Sequence, residues 1–193
     1  MVLIYDCKRL NIEYNEVHRL ERALTEDEII KKIGGLDKTK GACSSLALAD
    51  MGNKIGYDII DFRGGKSREI FARGDNVAII SNALKGIKEY NDTGLLAAIN
   101  LLKVEDGKEY YFAVARYAAI VRKNNGSLEY LELQSKKEDL GWHNLDNAEL
   151  IKRFGFTKDN LINTPATDYL IETSLFKKDY AFPKLLGYIS ILM

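Results

Sequence analysis

EYYFAVARYAAIVRKNNGSLEYLELQS, residues 109–135, carries the strongest fold signal in the chain. Three runs within it, EYYFAVA, YAAIVRK and SLEYLELQS, are rich in aromatic, β-branched and aliphatic residues, the composition of strands. Asn124-Asn125-Gly126 separates the last two. Asn-Gly between apolar runs is a strong short-range hairpin signal, because a type I′ turn needs positive φ at both central residues. With Asn125 and Gly126 as the loop, Asn124 faces Ser127 and Val121 faces Tyr130. Continued inward, the same register sets Ala119 against Glu132 and Tyr117 against Gln134. Directly opposed residues share a sheet face, so Tyr117, Glu132 and Gln134 are expected to project together.

Toward the N-terminus, helical signals precede the sheet. Thr25-Glu26-Asp27-Glu28 is a capping-box pattern that opens a short helix through Ile33, with Gly34-Gly35 as its stop. Cys43 to Ile55 reads as a second helix, with Leu46, Leu48, Ala49, Met51 and Ile55 at mixed three- and four-residue spacing and Gly56 at the stop. YDIIDF, residues 57–62, reads as a strand, and two further helical stretches are expected between Ser67 and Leu102. Beyond the hairpin, Asp146 is placed to cap a helix through Phe154, with Glu149 completing the box and Gly155 ending it. TDYLIET reads as a late strand, and the apolar tail from Tyr180 to Met193 is expected to pack on the domain.

Composition narrows the function classes. The 193 residues are 46% hydrophobic and 29% charged, which suits a single cored domain and not a disordered chain. Lys+Arg and Asp+Glu both number 28, and this balance argues against a dedicated nucleic-acid surface. No run is apolar enough to span a bilayer, and MVLIYDCKRL lacks the pattern of a signal peptide, so a cytoplasmic site or a particle assembled there is expected. The two cysteines, Cys7 and Cys43, are expected to be free thiols. No CxxC, HExxH or Walker-type glycine loop occurs, so neither metal nor cofactor is expected.

Cys43 raises the question of chemistry. Small residues in TKGAC lead into it, and it stands where a helix begins, the place where a thiolate is favoured. A buried structural cysteine among Ala and Ser is the plainer reading. A helix that opens on cysteine, followed by a hairpin able to carry a base and its orienter, resembles papain-fold toxin and deamidase-like domains, of the kind attached to phage minor head proteins. The resembling stretches are TKGACSSLALADMGNKIGYDIIDFRGGKSREIF, KEYYFAVARYAAIVRKNNGSLEYLELQS, AELIKRFG and FPKLLGYI, which span most of the chain from about Leu24 onward.

The resemblance implies an α+β, papain-like fold in which a Cys-bearing helix packs on an antiparallel sheet. Residues 1–40 would be a lead-in with a short helix and 41–193 the papain-like domain. It matches Cys43 to the nucleophile, and Glu132 and Gln134 to the family's D-x-Q, the third catalytic position. Similar family members have histidine where this chain has Tyr117. A phenol titrates at about 10, too high to act as base for a thiol of about 8.5. His18 sits in the lead-in, and His143, next to Trp142, is the other imidazole that could swing toward the cleft. Trp142 and His143, with the basic Arg63, Lys66 and Arg68, are candidate binding residues; their ordinary roles are packing and solvated surface. The implied function is a cysteine hydrolase or glutamine deamidase acting on a protein, inactive if Tyr117 has replaced the base. The alternative is a non-catalytic protein-binding or phage head-associated module that keeps the cleft.

Overall fold

Asn125 and Gly126 both take positive φ, 50° and 81°, the geometry of a type I′ turn. In the computed structural model, which describes residues 8–9, 11, 14–35, 43–60, 89–90, 101–114, 117–155, 168–178 and 182–189, this turn joins β3 (Tyr117–Asn124) to β4 (Ser127–Glu132). The paired residues run from Asn124 with Ser127 to Val121 with Tyr130, as the Asn-Gly signal requires. The inner pairs expected from the sequence, Ala119 with Glu132 and Tyr117 with Gln134, are not formed. There β4 is paired with the next strand, and the chain bends so that the Gln134 and Ser135 N–H groups turn back onto the Glu132 carboxylate.

Around this hairpin stand β1 (Glu89–Tyr90), β2 (Glu109–Val114), β5 (Gly141–Asn144) and β6 (Asp168–Glu172). They form one sheet in the order β1-β6-β2-β3-β4-β5, with every neighbouring pair antiparallel. The described helices are α1 (Glu26–Ile33), α2 (Cys43–Lys54), α3 (Asn147–Lys152), α4 (Thr173–Lys178) and α5 (Phe182–Ile189). The class is therefore mixed α+β, with helices on an antiparallel sheet. Among the described residues no helix is long and apolar enough to cross a membrane.

Strand alternation divides the core in two. Tyr111, Ala113, Ala118, Ile120 and Leu131 face one way and bury Leu46, Ala49, Ile29, Ile33, Phe176 and Leu186 from the helices. Phe112, Tyr117, Ala119, Val121 and Tyr130 face the other way and bury Leu101, Leu145 and Phe154. Full burial of one such apolar side chain is worth about 1.5–3 kcal/mol, so both layers hold the sheet.

Local expectations mostly survive, with instructive exceptions. The Thr25 capping box is complete: its side chain accepts from Glu28 N–H, and Glu28 accepts from Thr25 N–H at 2.8 Å. Asp146 caps α3, but the second half of that box is absent because the Glu149 carboxylate goes to the Tyr130 hydroxyl instead. The α3 helix ends at Lys152, two residues earlier than expected, and Gly155 follows with φ 74°. YDIIDF is no strand over its described part: Tyr57 makes a single bridge, to Arg19 of the lead-in. Its neighbours bond the same short stretch, Asp58 N–H to His18 O and Leu20 N–H to Gly56 O. The helices expected between Ser67 and Leu102 fall outside the described residues, except for β1 and a 3-10 turn at Leu101–Lys103. TDYLIET supplies β6, and Phe182, Leu185, Leu186 and Tyr188 of the tail are buried.

Candidate functional site

Cys43 is the first residue of α2, so its backbone and that of Ser44 belong to the helix turn whose N–H groups lack helical acceptors. It is half-buried and packs against both cores, at the start of β3. Its Sγ accepts the Ala118 N–H at 3.4 Å. Burial pushes the Cys43 thiol above its ordinary value. The N–H groups of Ala118, Ser44 and Cys43 itself pull it down, while the Glu132 charge adds to the rise. The net direction is opposite to that of an activated nucleophile.

Tyr117 occupies the strand position beside Ala118, on the opposite sheet face. Its ring meets Phe154 edge-on at 5.1 Å, and its hydroxyl donates to Glu132, 3.2 Å from Oε1 and 3.1 Å from Oε2. The hydroxyl is thus engaged by the Glu132 carboxylate. Burial, then the Glu132 and Cys43 charges, push the Tyr117 phenol upward, and Arg153 only partly opposes them. Tyr117 is therefore a neutral donor and no base.

Glu132 is 0% exposed, yet none of its charge is left bare. Besides Tyr117, Oε1 accepts the N–H groups of Gln134 at 2.8 Å and Ser135 at 3.0 Å. Oε2 lies 3.1 Å from Arg153 Nη2, which also donates to Ser135 Oγ at 2.8 Å. A buried carboxylate persists when hydrogen bonds and a cation replace its water. Gln134 joins this group through its backbone, in a bend and not on β4.

Arg153 was not marked by the sequence reading. It lies just past α3, beside the buried Phe154, and no spacing rule singles out such a cation. Ser135 and the Ala118 N–H were equally silent, since backbone donors carry no residue signature.

The remaining candidates lie elsewhere. His143 is on β5, with Nε2 2.7 Å from Asp139 O and its ring 5.7 Å from that of Tyr130, so it serves packing and a local loop. His18 is exposed in the lead-in. Trp142 is held by Arg122, whose guanidinium lies 3.7 Å over its ring, and donates to Glu26 Oε1 at 2.8 Å. Arg63, Lys66, Arg68 and Cys7 lie outside the described residues. Among the described residues no group of three or more His, Cys, Asp or Glu is placed to hold a metal ion.

The site thus joins Cys43, Tyr117, Glu132 and Arg153 at one end of the hairpin. It can hold a thiol at a helix start and a carboxylate behind it. It offers no imidazole between them. No family model, curated protein or solved structure matches this chain.

Proposed function

We propose that this chain is a papain-like cysteine hydrolase or deamidase domain that no longer performs acyl transfer and instead holds a protein partner. The observation that supports the loss of chemistry is the Tyr117–Glu132 bond: the carboxylate that would orient a base is engaged by a phenol instead. Nucleophilic attack by cysteine requires a thiolate, formed by proton transfer to a neighbouring base. Here the thiol is pushed up, its carboxylate neighbour repels a second negative charge, and the phenol cannot accept the proton. The resemblance of the TKGAC and LELQS stretches supports the family, and supplies protein as the partner class.

The experiment is alkylation of Cys43 by iodoacetamide against pH, with a free cysteine peptide as reference. The expected result is a rate at neutral pH below that of the reference, rising only in alkali. Fast alkylation at pH 7 would overturn the loss of chemistry and favour a working hydrolase or deamidase.

A further inference from the structure

Arg153 ends α3, and its backbone N–H donates to Glu149 O at 2.8 Å. The next residue, Phe154, is 3% exposed and meets the rings of Phe112 and Tyr117 at 5.1 Å each. The backbone that carries Arg153 is therefore pinned against the sheet face that carries Tyr117. From that anchor the guanidinium reaches the end of β4. Its Nη2 lies 3.1 Å from Glu132 Oε2 and donates to Ser135 Oγ at 2.8 Å. Its Nε lies 3.6 Å from Glu149 Oε2, an oxygen that the Tyr130 hydroxyl holds at 2.7 Å.

The Glu132 carboxylate is 0% exposed, so its direction is set by protein donors. A carboxylate offers about four acceptor positions. The Gln134 and Ser135 N–H groups both go to Oε1 and Arg153 goes to Oε2. The Tyr117 hydroxyl, 3.2 Å from one oxygen and 3.1 Å from the other, lies between them. Among the described residues Arg153 is the one cation on this carboxylate. Two backbone donors on Oε1 leave the group able to turn about that oxygen; the guanidinium on Oε2 removes that freedom.

We propose that Arg153 is the positioning residue of this site: it fixes Glu132 so that the gap between the carboxylate oxygens faces whatever side chain stands at position 117. The inference rests on reading Glu132 as the orienter of a base at that position. The present phenol takes the gap as a donor. An imidazole there would donate the same hydrogen bond, and its ring would be aimed at Cys43 only while the carboxylate is held. Stripped of its cation, a buried carboxylate is costly and turns toward other donors. Lysine would keep the charge but lose the planar fork that reaches Glu132 and Ser135 together.

The test is Cys43 alkylation by iodoacetamide against pH in Tyr117→His, alone and combined with Arg153→Gln or Arg153→Lys, each variant checked for folding by near-ultraviolet dichroism. Tyr117→His alone should react about tenfold faster than the native chain at neutral pH. Arg153→Gln should abolish that gain, and Arg153→Lys should return part of it. A gain that survives Arg153→Gln overturns the positioning role and leaves the reading of position 117 standing. No gain in Tyr117→His sinks that reading, and the positioning role with it. Should the double variants not fold, nitrogen NMR of the Arg153 guanidinium in Tyr117→His decides. Signals that shift with pH at the midpoint of the alkylation profile support a guanidinium coupled to position 117 through Glu132; signals that stay fixed while the alkylation profile moves overturn it.

Discussion

A tyrosine in place of an imidazole changes what the neighbouring residues can do. Tyr117 donates to Glu132, whereas an imidazole there could donate one N–H to the same carboxylate and turn its other nitrogen toward Cys43. Tyr117→His is therefore expected to lower the pH at which the Cys43 thiolate appears, because an imidazolium favours the charged sulfur. A fall of one unit in the thiol pKa means about tenfold more thiolate at neutral pH. Loss of the edge-on contact with Phe154 should cost about 1–3 kcal/mol, read as a lower midpoint in denaturant. The alkylation profile of the variant checks this; a folded variant with an unmoved profile would show that position 117 is not a base site. Cys43, Tyr117 and Glu132 were singled out by the family resemblance, whereas the inner hairpin register that set Tyr117 against Gln134 is not formed. Arg153 was not, since its role follows from where the chain turns after α3.

Among the elements, glycines show two different constraints. Gly126 has φ 81° and nothing within 4 Å of an added Cβ, so its constraint is backbone conformation alone. Gly187 of α5 has no room: an added Cβ would lie 2.3 Å from the Tyr14 ring and 2.7 Å from Asn15 O. Gly126→Val should cost about 1–2 kcal/mol, and Gly126→Asn should recover most of it, because Asn tolerates the left-handed region. Gly187→Ala should cost about 1–3 kcal/mol by overpacking, and Gly187→Asn more. Urea denaturation of the four variants separates the causes; a Gly187→Asn no worse than Gly187→Ala would contradict the steric account. Elements with a local signature were legible in advance: the Asn-Gly turn, the Thr25 box, the Asp146 cap. β5 was not, because GWHN is four residues of half-buried, mixed polarity whose strand form comes from pairing with β4. YDIIDF misled for the converse reason, an apolar β-prone run whose described residues make a single bridge, to Arg19, while Ile59 is buried in the core.

The lead-in is laced to the C-terminal helix and to the sheet. Asn15 N–H donates to Gly187 O at 2.9 Å, Gly35 N–H to Leu133 O at 2.8 Å, and Tyr14 meets Tyr188 edge-on at 5.0 Å. Ile29 and Ile33 of α1 are 1% and 0% exposed, in the same core as Ile120 of the sheet and Leu186 of α5. None of these cross-connections is visible as local periodicity, which is why the sequence reading set residues 1–40 apart as a lead-in. Burying two isoleucines is worth about 3–6 kcal/mol, against a total stability of about 5–15 kcal/mol for a domain. Removing residues 1–35 would uncover the faces of α2 and α5 that these side chains fill and leave the Gly187 and Leu133 carbonyls without their donors. The intact chain should therefore unfold in one cooperative transition by calorimetry, with near-ultraviolet dichroism following the same curve. The shortened chain should show no such transition and should bind a hydrophobic dye at room temperature. A shortened chain that melts cooperatively would mean that the sheet and α2 form a domain without the lead-in, and that α1 is an appendage rather than part of the core.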